Sequence, residues 1–493
     1  MRRLPLLVVT GLLAMTSSLG LVEPTRAAPA DALPTSGFVR VSGDRLFAGD
    51  QPLVLRGFNY YPRDYAWSAM TDWDWSEVDA ELGLAEGLGA NTIRVMVDYG
   101  FSTGHSGTAW STAEVHRLDH PSPEYLAAMD QLLGVAQRHG MRVIFSLFDF
   151  MPGWAFIDQS DYAPAATYVG DLVAHFARDE RIAAWDILNE GDLLPDKFPT
   201  TSMANVLGFY TTMSAAIRAA DRQHLVTADF GNIERAHLSQ DFVDYVSFHY
   251  YADQARLTLE IDALRGRLRR PMPVVASEVG APSDGNPYAS LSSHTVALGA
   301  YLDSALNSRA LAGTLIWTLV DPNPPRTARS HQSQMDVVDF GVYDSSLHPK
   351  PSVDVVRRYF AGGCGQDQRL ELRFSGARAT PIPGDSRSMV IGMHQLALLG
   401  ADGSALSQLT FGTLQADALD GRGWYANEDW GQWAGEAGGV AALCVVVPPE
   451  AATLSLTAHA RQPGTELQVW VDGAQRGSLT LDPSTAEYRL PLS

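Results

Sequence analysis

At 493 residues the chain is longer than one ordinary hydrophobic core requires, so two domains are expected. Hydrophobic residues make up 46% and charged residues 19%, a balance typical of folded protein rather than disorder. With 36 basic and 56 acidic side chains the net charge is −20, which disfavours nucleic acid as a partner because phosphate backbones repel such a surface.

The N-terminus has the pattern of a secretory signal peptide. Arg2 and Arg3 precede an apolar run from Leu4 to Val22, and small residues follow at positions 27–30. The alternative is a membrane anchor, but polar residues interrupt the run and no stop-transfer charges follow it. We therefore expect residues 1–30 to be removed and the mature protein to be secreted and extracellular, with no membrane association after cleavage.

Residues 31–361 alternate short apolar runs with amphipathic segments. Each run is seven to nine residues long and rich in Val, Ile, Leu or aromatic residues, which is typical of strands buried on both faces. Helix signals lie between them, such as the N-cap Ser122 before Pro123, and Gly140 at the end of the same helix. The eight predicted strands are Leu53–Tyr60, Thr92–Asp98, Arg142–Phe148, Ile182–Glu190, His224–Phe230, Asp244–Tyr251, Met272–Gly280 and Gly313–Asp321.

Eight such units over about 320 residues predict an α/β fold, a (β/α)8 TIM barrel. The alternative is an open, doubly wound sheet. That fold usually has a glycine-rich phosphate-binding turn after its first strand, whereas here the first strand ends Arg56-Gly57-Phe58-Asn59-Tyr60. The barrel is therefore the favoured architecture.

Residues 362–493 have a different pattern, with alternating strands separated by Gly, Pro, Asp and Ser turns. This pattern predicts a C-terminal all-β sandwich that serves as an accessory domain. Its aromatic residues could form an exposed carbohydrate-binding platform or lie in the core of the sandwich, and the sequence leaves both open. These residues are Trp424, Tyr425, Trp430, Trp433 and Trp470.

Two glutamates stand at the carboxyl ends of predicted barrel strands, where the reacting groups of this fold are found. Glu190 ends the fourth strand in Asp186-Ile187-Leu188-Asn189-Glu190, and Glu278 lies near the end of the seventh in Ala276-Ser277-Glu278. Either one alone could cap a helix or pair with an arginine. Together, at matched strand ends, they predict a catalytic pair facing each other across the barrel mouth.

The sequence resembles glycoside hydrolase family 5, of the clan of (β/α)8 retaining glycosidases. Asn189-Glu190 matches the acid/base motif, and Ser277-Glu278 matches the nucleophile. The resemblance extends over residues 38–360 and has five elements in order. The other three matches are His249-Tyr250-Tyr251 with the His-x-Tyr motif, Trp317 with the substrate-stacking tryptophan, and Arg94 with the strand-two arginine.

This resemblance implies an enzyme, a glycoside hydrolase that cleaves β-linked sugars by double displacement with retention. Glu278 attacks while Arg94 and Tyr251 keep it ionised, and Glu190 serves as acid and then base. The charge of Glu278 and partial burial should raise the pKa of Glu190. Asn189 is expected to bind the 2-hydroxyl of the sugar, and His249 to contact the sugar or the nucleophile.

The chain departs from the family pattern at two positions. Many members have a histidine near the end of strand three, where this chain has Ser146-Leu147-Phe148-Asp149, and Gly191 replaces the proline that often follows Asn-Glu. Asp149 could bind a sugar hydroxyl or cap the next loop. Aromatic residues of the first two loops, Tyr60 among them, could stack on sugars or pack the loops against the barrel. The same loops also contain Tyr61, Tyr65, Trp67, Trp73, Trp75, Trp110, His105, His116 and His120.

We expect no cofactor and no catalytic metal, because the histidines show no ligand spacing and the first strand has none. Cys364 and Cys444 could form a disulfide or remain thiols. The expected partner is a polysaccharide or oligosaccharide, and the expected state is a monomer. The leading hypothesis is an endo-β-1,4-mannanase or endo-β-1,4-glucanase. The alternatives are an exo-acting β-glycosidase and a non-catalytic glycan-binding protein.

Overall fold

A computed structural model describes most of the chain after the first 36 residues. The described residues are 37–98, 120–149, 157, 161–284, 289–307, 310–323, 339–361, 364, 368–375, 389–435 and 439–492. Residues Leu33–Ser493 belong to one compact unit, so the predicted boundary between residues 361 and 362 stays a prediction. The predicted signal peptide lies outside the described residues.

The central feature is a nearly closed, parallel sheet of nine strands, which confirms the predicted (β/α)8 barrel. The eight barrel strands are numbered in chain order, and the fifth is divided into two pieces at Ala228. The first piece pairs with strand four and the second with strand six. The strands are Leu55–Asn59, Thr92–Asp98, Arg142–Asp149, Ile182–Asp186, Leu225–Thr227 with Asp229–Phe230, Val246–Tyr250, Val274–Val279 and Gly313–Ile316.

Helices cover the outer face of the barrel. Every residue of strand three and strand seven is buried, as expected for strands packed against side chains on both faces. The helix after strand two begins at the N-cap Ser122, whose hydroxyl accepts a hydrogen bond from the Tyr125 amide. The described α-helices that precede the C-terminal part are Trp75–Gly87, Pro123–Arg138, Ala163–Phe176, Leu194–Lys197, Met203–Ala220, Leu257–Arg267, Leu291–Leu302 and Ser352–Phe360, and the short helix Leu414–Asp417 lies in the C-terminal part.

A small antiparallel sheet, which the sequence analysis missed, precedes the barrel. Its strands are Val39–Ser42, Arg45–Ala48 and Gln51–Leu53, and the last leads directly into the first barrel strand. Val39 and Leu46 share an apolar cluster with side chains from inside the barrel, including Ile144 and Leu315. The sheet therefore closes the end of the barrel opposite to the strand ends that carry the glutamates.

The C-terminal part contains two antiparallel sheets around a common apolar core, as the all-β prediction required. The first sheet contains Val440–Val445, Gln368–Ser375, Thr465–Val471 and Ala474–Leu481. The second contains Ala405–Thr410, Ile391–Leu399, Thr453–Ala460, Ala486–Pro491 and Gln432–Ala434.

The helix Leu291–Leu302 connects the two parts. Its Val296 belongs to the apolar core of the C-terminal sheets, and its Ser292 hydroxyl accepts a hydrogen bond of 2.9 Å from the Asn427 amide. Just beyond the helix, Asp303 is almost fully buried and forms an ion pair with Arg369 of the first C-terminal sheet. Apolar burial and a paired charge thus hold the accessory sheets against the barrel.

The two cysteines form a disulfide, which settles the alternatives that the sequence left open. Cys364 lies just after the barrel and Cys444 on a sheet strand, 80 residues apart in the chain. The bond therefore ties the connection between the two parts to the C-terminal sheets. Among the described helices, none combines the length and the hydropathy that a membrane crossing needs.

Gly57 lies where strand one packs closely against strand two. A Cβ atom at this position would lie 1.7 Å from the carbonyl oxygen of Thr92 on strand two. Gly57→Ala should therefore lower the free energy of unfolding by at least about 1–3 kcal/mol, because backbone must move. The measurement is chemical denaturation followed by circular dichroism.

The matched control is Gly170→Ala, in the middle of the helix Ala163–Phe176, where a Cβ would meet nothing within 4 Å. That substitution should stabilise the protein by about 0.5–1 kcal/mol, since alanine is the better helix former. Equal unfolding curves for the two variants would contradict this strand packing.

Candidate active site

Glu190 stands at the rim of the barrel just after strand four. Its backbone is left-handed, with φ 48° and ψ 34°, a conformation that is uncommon for residues other than glycine. The short 3-10 helix Gly191–Leu193 begins immediately after it, and its side chain is 26% exposed. Strained backbone of this kind persists where the surrounding structure enforces it, and it presents the Glu190 carboxyl toward the cavity.

Glu278 lies within strand seven and is 5% exposed. Its Oε1 accepts a hydrogen bond of 2.9 Å from Arg94 Nη1, and its Oε2 accepts one of 2.6 Å from the Tyr251 hydroxyl. Tyr251 is 43% exposed, so its ring stands at the rim while its hydroxyl reaches down to the carboxylate. Each oxygen of Glu278 therefore has a donor that fixes its direction.

The two carboxyl groups face one another. Ligand atoms of Glu190, His249 and Glu278, one from each residue, all lie within 4.8 Å of one another. A retaining mechanism needs carboxyl groups about 5–5.5 Å apart, whereas an inverting mechanism needs about 6.5–9.5 Å to admit a water molecule. The observed separation fits the retaining geometry.

Arg94 is fully buried on strand two and joins most of the site. Its Nη1 donates to Asn59 at 2.8 Å as well as to Glu278, and its Nη2 donates to Asn189 at 2.8 Å. Below these, its guanidinium pairs with Asp186 at 2.9 Å and with Asp229 at 2.7 Å. One cation therefore orients Glu278 and also Asn189, which lies beside Glu190.

His249 on strand six contacts both glutamates. Its Nδ1 lies 3.0 Å from Glu190 Oε1 and 3.3 Å from Glu278 Oε2, and its Nε2 lies 3.7 Å from Asp229 Oδ2. Burial alone would lower the pKa of His249, but the charges of Glu278, Asp229 and Glu190 outweigh burial and raise the pKa to about 10. These anions therefore favour the imidazolium form of the ring at neutral pH.

The imidazolium changes the acidity expected for the two carboxyl groups. Burial would raise the pKa of Glu190, but the hydrogen bond from His249 outweighs burial and holds the pKa below its ordinary value. The expectation of a raised pKa for Glu190 is therefore wrong. Burial raises the pKa of Glu278, although the charges of His249 and Arg94 oppose this effect.

Four polar residues beneath the glutamates received no role of their own from the sequence. Asp186 and Asp229 are fully buried and pair with Arg94, and the Asp229 amide donates to Asp186 at 3.1 Å. Asn59 donates to the Ser277 carbonyl at 2.8 Å, and the Ser277 hydroxyl donates to Asp229 at 2.7 Å. The available signal was a charged residue inside an apolar strand, which is costly unless it is paired.

Steric crowding explains why a glycine follows Glu190. A Cβ on Gly191 would lie 2.3 Å from the Tyr210 hydroxyl and 2.8 Å from the Leu188 side chain. A proline ring would therefore collide with Tyr210. At the other departure, Ser146 is fully buried beside Arg94, with its hydroxyl 3.5 Å from Nη2.

The remaining predicted contacts divide between the cavity and the core. Trp317 follows strand eight and is half-buried, and Asp149 ends strand three, where it accepts a hydrogen bond of 3.3 Å from the Tyr61 hydroxyl. Tyr60 is 1% exposed, and its hydroxyl donates to Glu81 at 2.9 Å. This placement corrects the prediction that Tyr60 contacts substrate, because its ring belongs to the hydrophobic core.

Among the loop aromatics, Trp73 is buried, whereas Tyr61, Tyr65, Trp67 and Trp75 are half-buried. His120 is exposed and pairs with Asp171. The predicted residues His105, Trp110 and His116 lie outside the described residues.

The aromatic residues of the C-terminal part fall into two groups. Trp424 is 1% exposed and stacks on Phe411, so it belongs to the core. The others are half-buried, and Trp430 and Trp433 form a cluster with His459. Core packing thus accounts for Trp424.

Glu190, His249 and Glu278 are also close enough to hold a metal ion. However, the oxygens of Glu278 already accept hydrogen bonds from Arg94 and Tyr251, and His249 supplies a positive charge between the glutamates. Arg94 and His249 thus provide positive charge beside the two glutamates.

Solved structures with the same fold include several glycosidases. One is the exo-beta-1,4-mannosidase Op5Man5 from Opitutaceae bacterium strain TAV5, with 20% identity and a TM-score of 0.53 over 65% of this chain and 61% of that enzyme. The match thus spans about three fifths of that enzyme's length.

Two further structures are GH5_18 proteins. The one from Streptomyces cattleya, in complex with Manb1-4GlcNAc, has 18% identity and a TM-score of 0.51 over 62% of this chain and 81% of that one. The one from Bifidobacterium longum subsp. infantis has 17% identity and a TM-score of 0.51 over 62% and 79%. At these identities the likeness shows the fold alone.

A search of curated proteins gives no match. The family model described as cellulase (glycosyl hydrolase family 5) matches residues 53–317, which is more than half of the chain and includes both glutamates. The chain therefore belongs to glycoside hydrolase family 5.

Proposed function

We propose that this glycoside hydrolase cleaves β-glycosides with retention, with Glu278 as nucleophile and Glu190 as acid/base. The observation that carries the proposal is the separation of the two carboxyl groups, whose facing oxygens lie within 4.8 Å. Glu278, which is clamped by Arg94 and Tyr251, has the fixed direction that a nucleophile needs. Glu190, which is partly exposed at the rim, stands where a leaving group would depart.

In the first step a Glu278 oxygen attacks the anomeric carbon, the bond to the leaving oxygen breaks, and Glu190 donates a proton to that oxygen. In the second step Glu190 removes a proton from water, the water oxygen attacks the anomeric carbon, and the ester bond to Glu278 breaks. Asn189 supports this sequence, because Arg94 binds its amide oxygen and leaves its NH2 group as the end that can donate to a sugar hydroxyl.

His249 is the proposed source of the proton for the first step. His249 carries it on Nδ1, 3.0 Å from Glu190 Oε1. When a sugar displaces water from the site, transfer along this hydrogen bond leaves a neutral imidazole and a protonated carboxyl. The lowered pKa of Glu190 is thus compatible with its proposed role as an acid.

Azide tests the two roles by stereochemistry. Glu278→Ala should lose nearly all activity, and azide should restore cleavage of an activated aryl β-glycoside with the inverted α-glycosyl azide as product. Glu190→Ala should keep its first step on the same substrate, because the leaving group needs no proton, and azide should give the retained β-glycosyl azide. The products are assigned by proton NMR.

The pair of variants forms its own control, since both lose one carboxylate of the same site. Identical azide products, or full hydrolysis by Glu278→Ala, would contradict the assignment. Sugar binding by that variant without any turnover of the wild type would favour the non-catalytic alternative.

For the substrate we propose a β-1,4-mannoside. Of the solved structures with a similar fold, one is an exo-beta-1,4-mannosidase and another is a complex with Manb1-4GlcNAc, and this makes mannosides the first substrates to test. Endo and exo action differ in the products, since an endo-acting enzyme releases mixed oligosaccharides whereas an exo-acting enzyme releases only one small sugar.

We expect the wild type to hydrolyse β-1,4-mannooligosaccharides, with Glu278→Ala as the inactive control. Products are followed over time by anion-exchange chromatography, with β-1,4-glucan oligosaccharides in parallel. Faster hydrolysis of the glucan series would contradict the mannoside assignment while it preserved the mechanism.

We also propose that the protein is exported. The support is the basic and apolar pattern of residues 1–30 together with the disulfide Cys364–Cys444, since disulfides persist in oxidising compartments.

A further inference from the structure

Asp229 occupies a special position in the barrel, at the break in strand five. Thr227 still pairs with strand four, but Asp229 pairs with Ser247 of strand six. Its amide donates instead to the carboxylate of Asp186, at 3.1 Å. The Asp229 carboxylate is buried, and at this position it can contact side chains from several strands.

Three side chains contact this carboxylate, and each of them either binds a catalytic glutamate or is next to one in the chain. Asp229 Oδ2 lies 2.7 Å from Arg94 Nε and 3.7 Å from His249 Nε2, and Oδ1 accepts a hydrogen bond of 2.7 Å from the Ser277 hydroxyl. Arg94 and His249 bind Glu278, and Ser277 precedes it in strand seven. His249 also binds Glu190. Asp229 itself touches neither glutamate in these contacts of the described residues.

We propose that Asp229 is a positioning residue that keeps His249 in its imidazolium form and so holds both catalytic carboxylates in place. The inference rests on the proposed function and names a residue beyond the family motifs. The inference follows from charge and geometry. Nδ1 of His249 faces Glu190 and Glu278, whereas Asp229 is the only anion beside Nε2 among the described residues.

The charged groups around His249 come from four other parts of the barrel. Glu190 follows strand four, Asp229 is on strand five, and Glu278 is on strand seven. Arg94 on strand two is the opposing cation, and Asp192 in the 3-10 helix after Glu190 adds a further carboxyl. The anions outnumber the cation, and removal of the Asp229 charge should therefore weaken the hold on the proton of His249.

Asp186 provides a matched control. It is as deeply buried as Asp229 and pairs with the same guanidinium, at 2.9 Å from Arg94 Nη2. Among the contacts of the described residues it has none with His249. Burial and the neighbouring charge of Asp229 raise the pKa of Asp186 to about 7, so an amide at this position imitates a form that the carboxyl already adopts near neutral pH.

The first measurement uses activity. Asp229→Asn should lower kcat/KM about 10–100-fold and move the alkaline limb of the pH profile about 1–3 pH units toward lower pH, since His249 then loses its proton earlier. Asp186→Asn should leave that limb where it is in the wild type. Thermal unfolding of both variants checks that they are folded.

The second measurement needs no substrate. Protein labelled with 15N-histidine, with His249→Gln to assign the signal, should show both ring nitrogens of His249 protonated at pH 8 in the wild type. In Asp229→Asn the ring should titrate about 1–3 pH units lower. The wild-type spectrum alone is decisive if Asp229→Asn does not fold.

Three results would overturn the proposal. They are a wild-type His249 that is neutral at pH 8, a loss of activity in Asp229→Asn with no movement of the pH profile, and an equal movement in Asp186→Asn. If the wild type hydrolyses no β-glycoside but His249 titrates as expected, the proposed function fails and the role of Asp229 stands.

Discussion

The arrangement of the site depends on one buried guanidinium. Arg94 has no exposed surface and lies among the carboxylates of Asp186, Asp229 and Glu278. A buried cation is tolerated only when its donors are satisfied, and removal of one member of such a pair typically costs about 3–5 kcal/mol. The planar fork of arginine fixes the directions of its partners, so the barrel strands that carry them must end in register around it. Stability and catalysis therefore place the same demand on these residues.

Several irregular features of the backbone lie at this rim. The backbone of Glu190 is left-handed, and strand five breaks before Asp229. Gly191 and Gly280 have no space for a Cβ atom, and a Cβ at Gly280 would lie 2.5 Å from the Trp317 carbonyl oxygen. Regular strands would point their side chains alternately into the core and outward. The departures turn carboxyl groups toward the cavity instead, and violations of local preference of this kind are expected at functional sites.

The barrel strands could be predicted because their apolar runs are long and helix signals separate them. Glu190 and Glu278 could be predicted because strand ends of this fold meet at one rim. Whether Tyr60 points into the cavity or into the core could not be predicted, since this depends on the rotation of a strand end. The lowered pKa of Glu190 could not be predicted either. That acidity follows from the distance between His249 and three carboxylates on different strands, which is a property of the packed barrel alone.

Charge balance explains why the site needs a protonated histidine. Three carboxylates, those of Glu190, Glu278 and Asp229, surround Arg94 and His249, and a neutral sugar adds no charge to compensate them. The excess of anions draws a proton to the site, and His249 holds it where it faces both glutamates. In the proposed mechanism His249 has already passed this proton through Glu190 to the leaving oxygen when Glu278 becomes an ester. The charge of the imidazolium and the charge of Glu278 are then absent together, and this leaves Glu190 ionised and able to act as the base in the proposed second step.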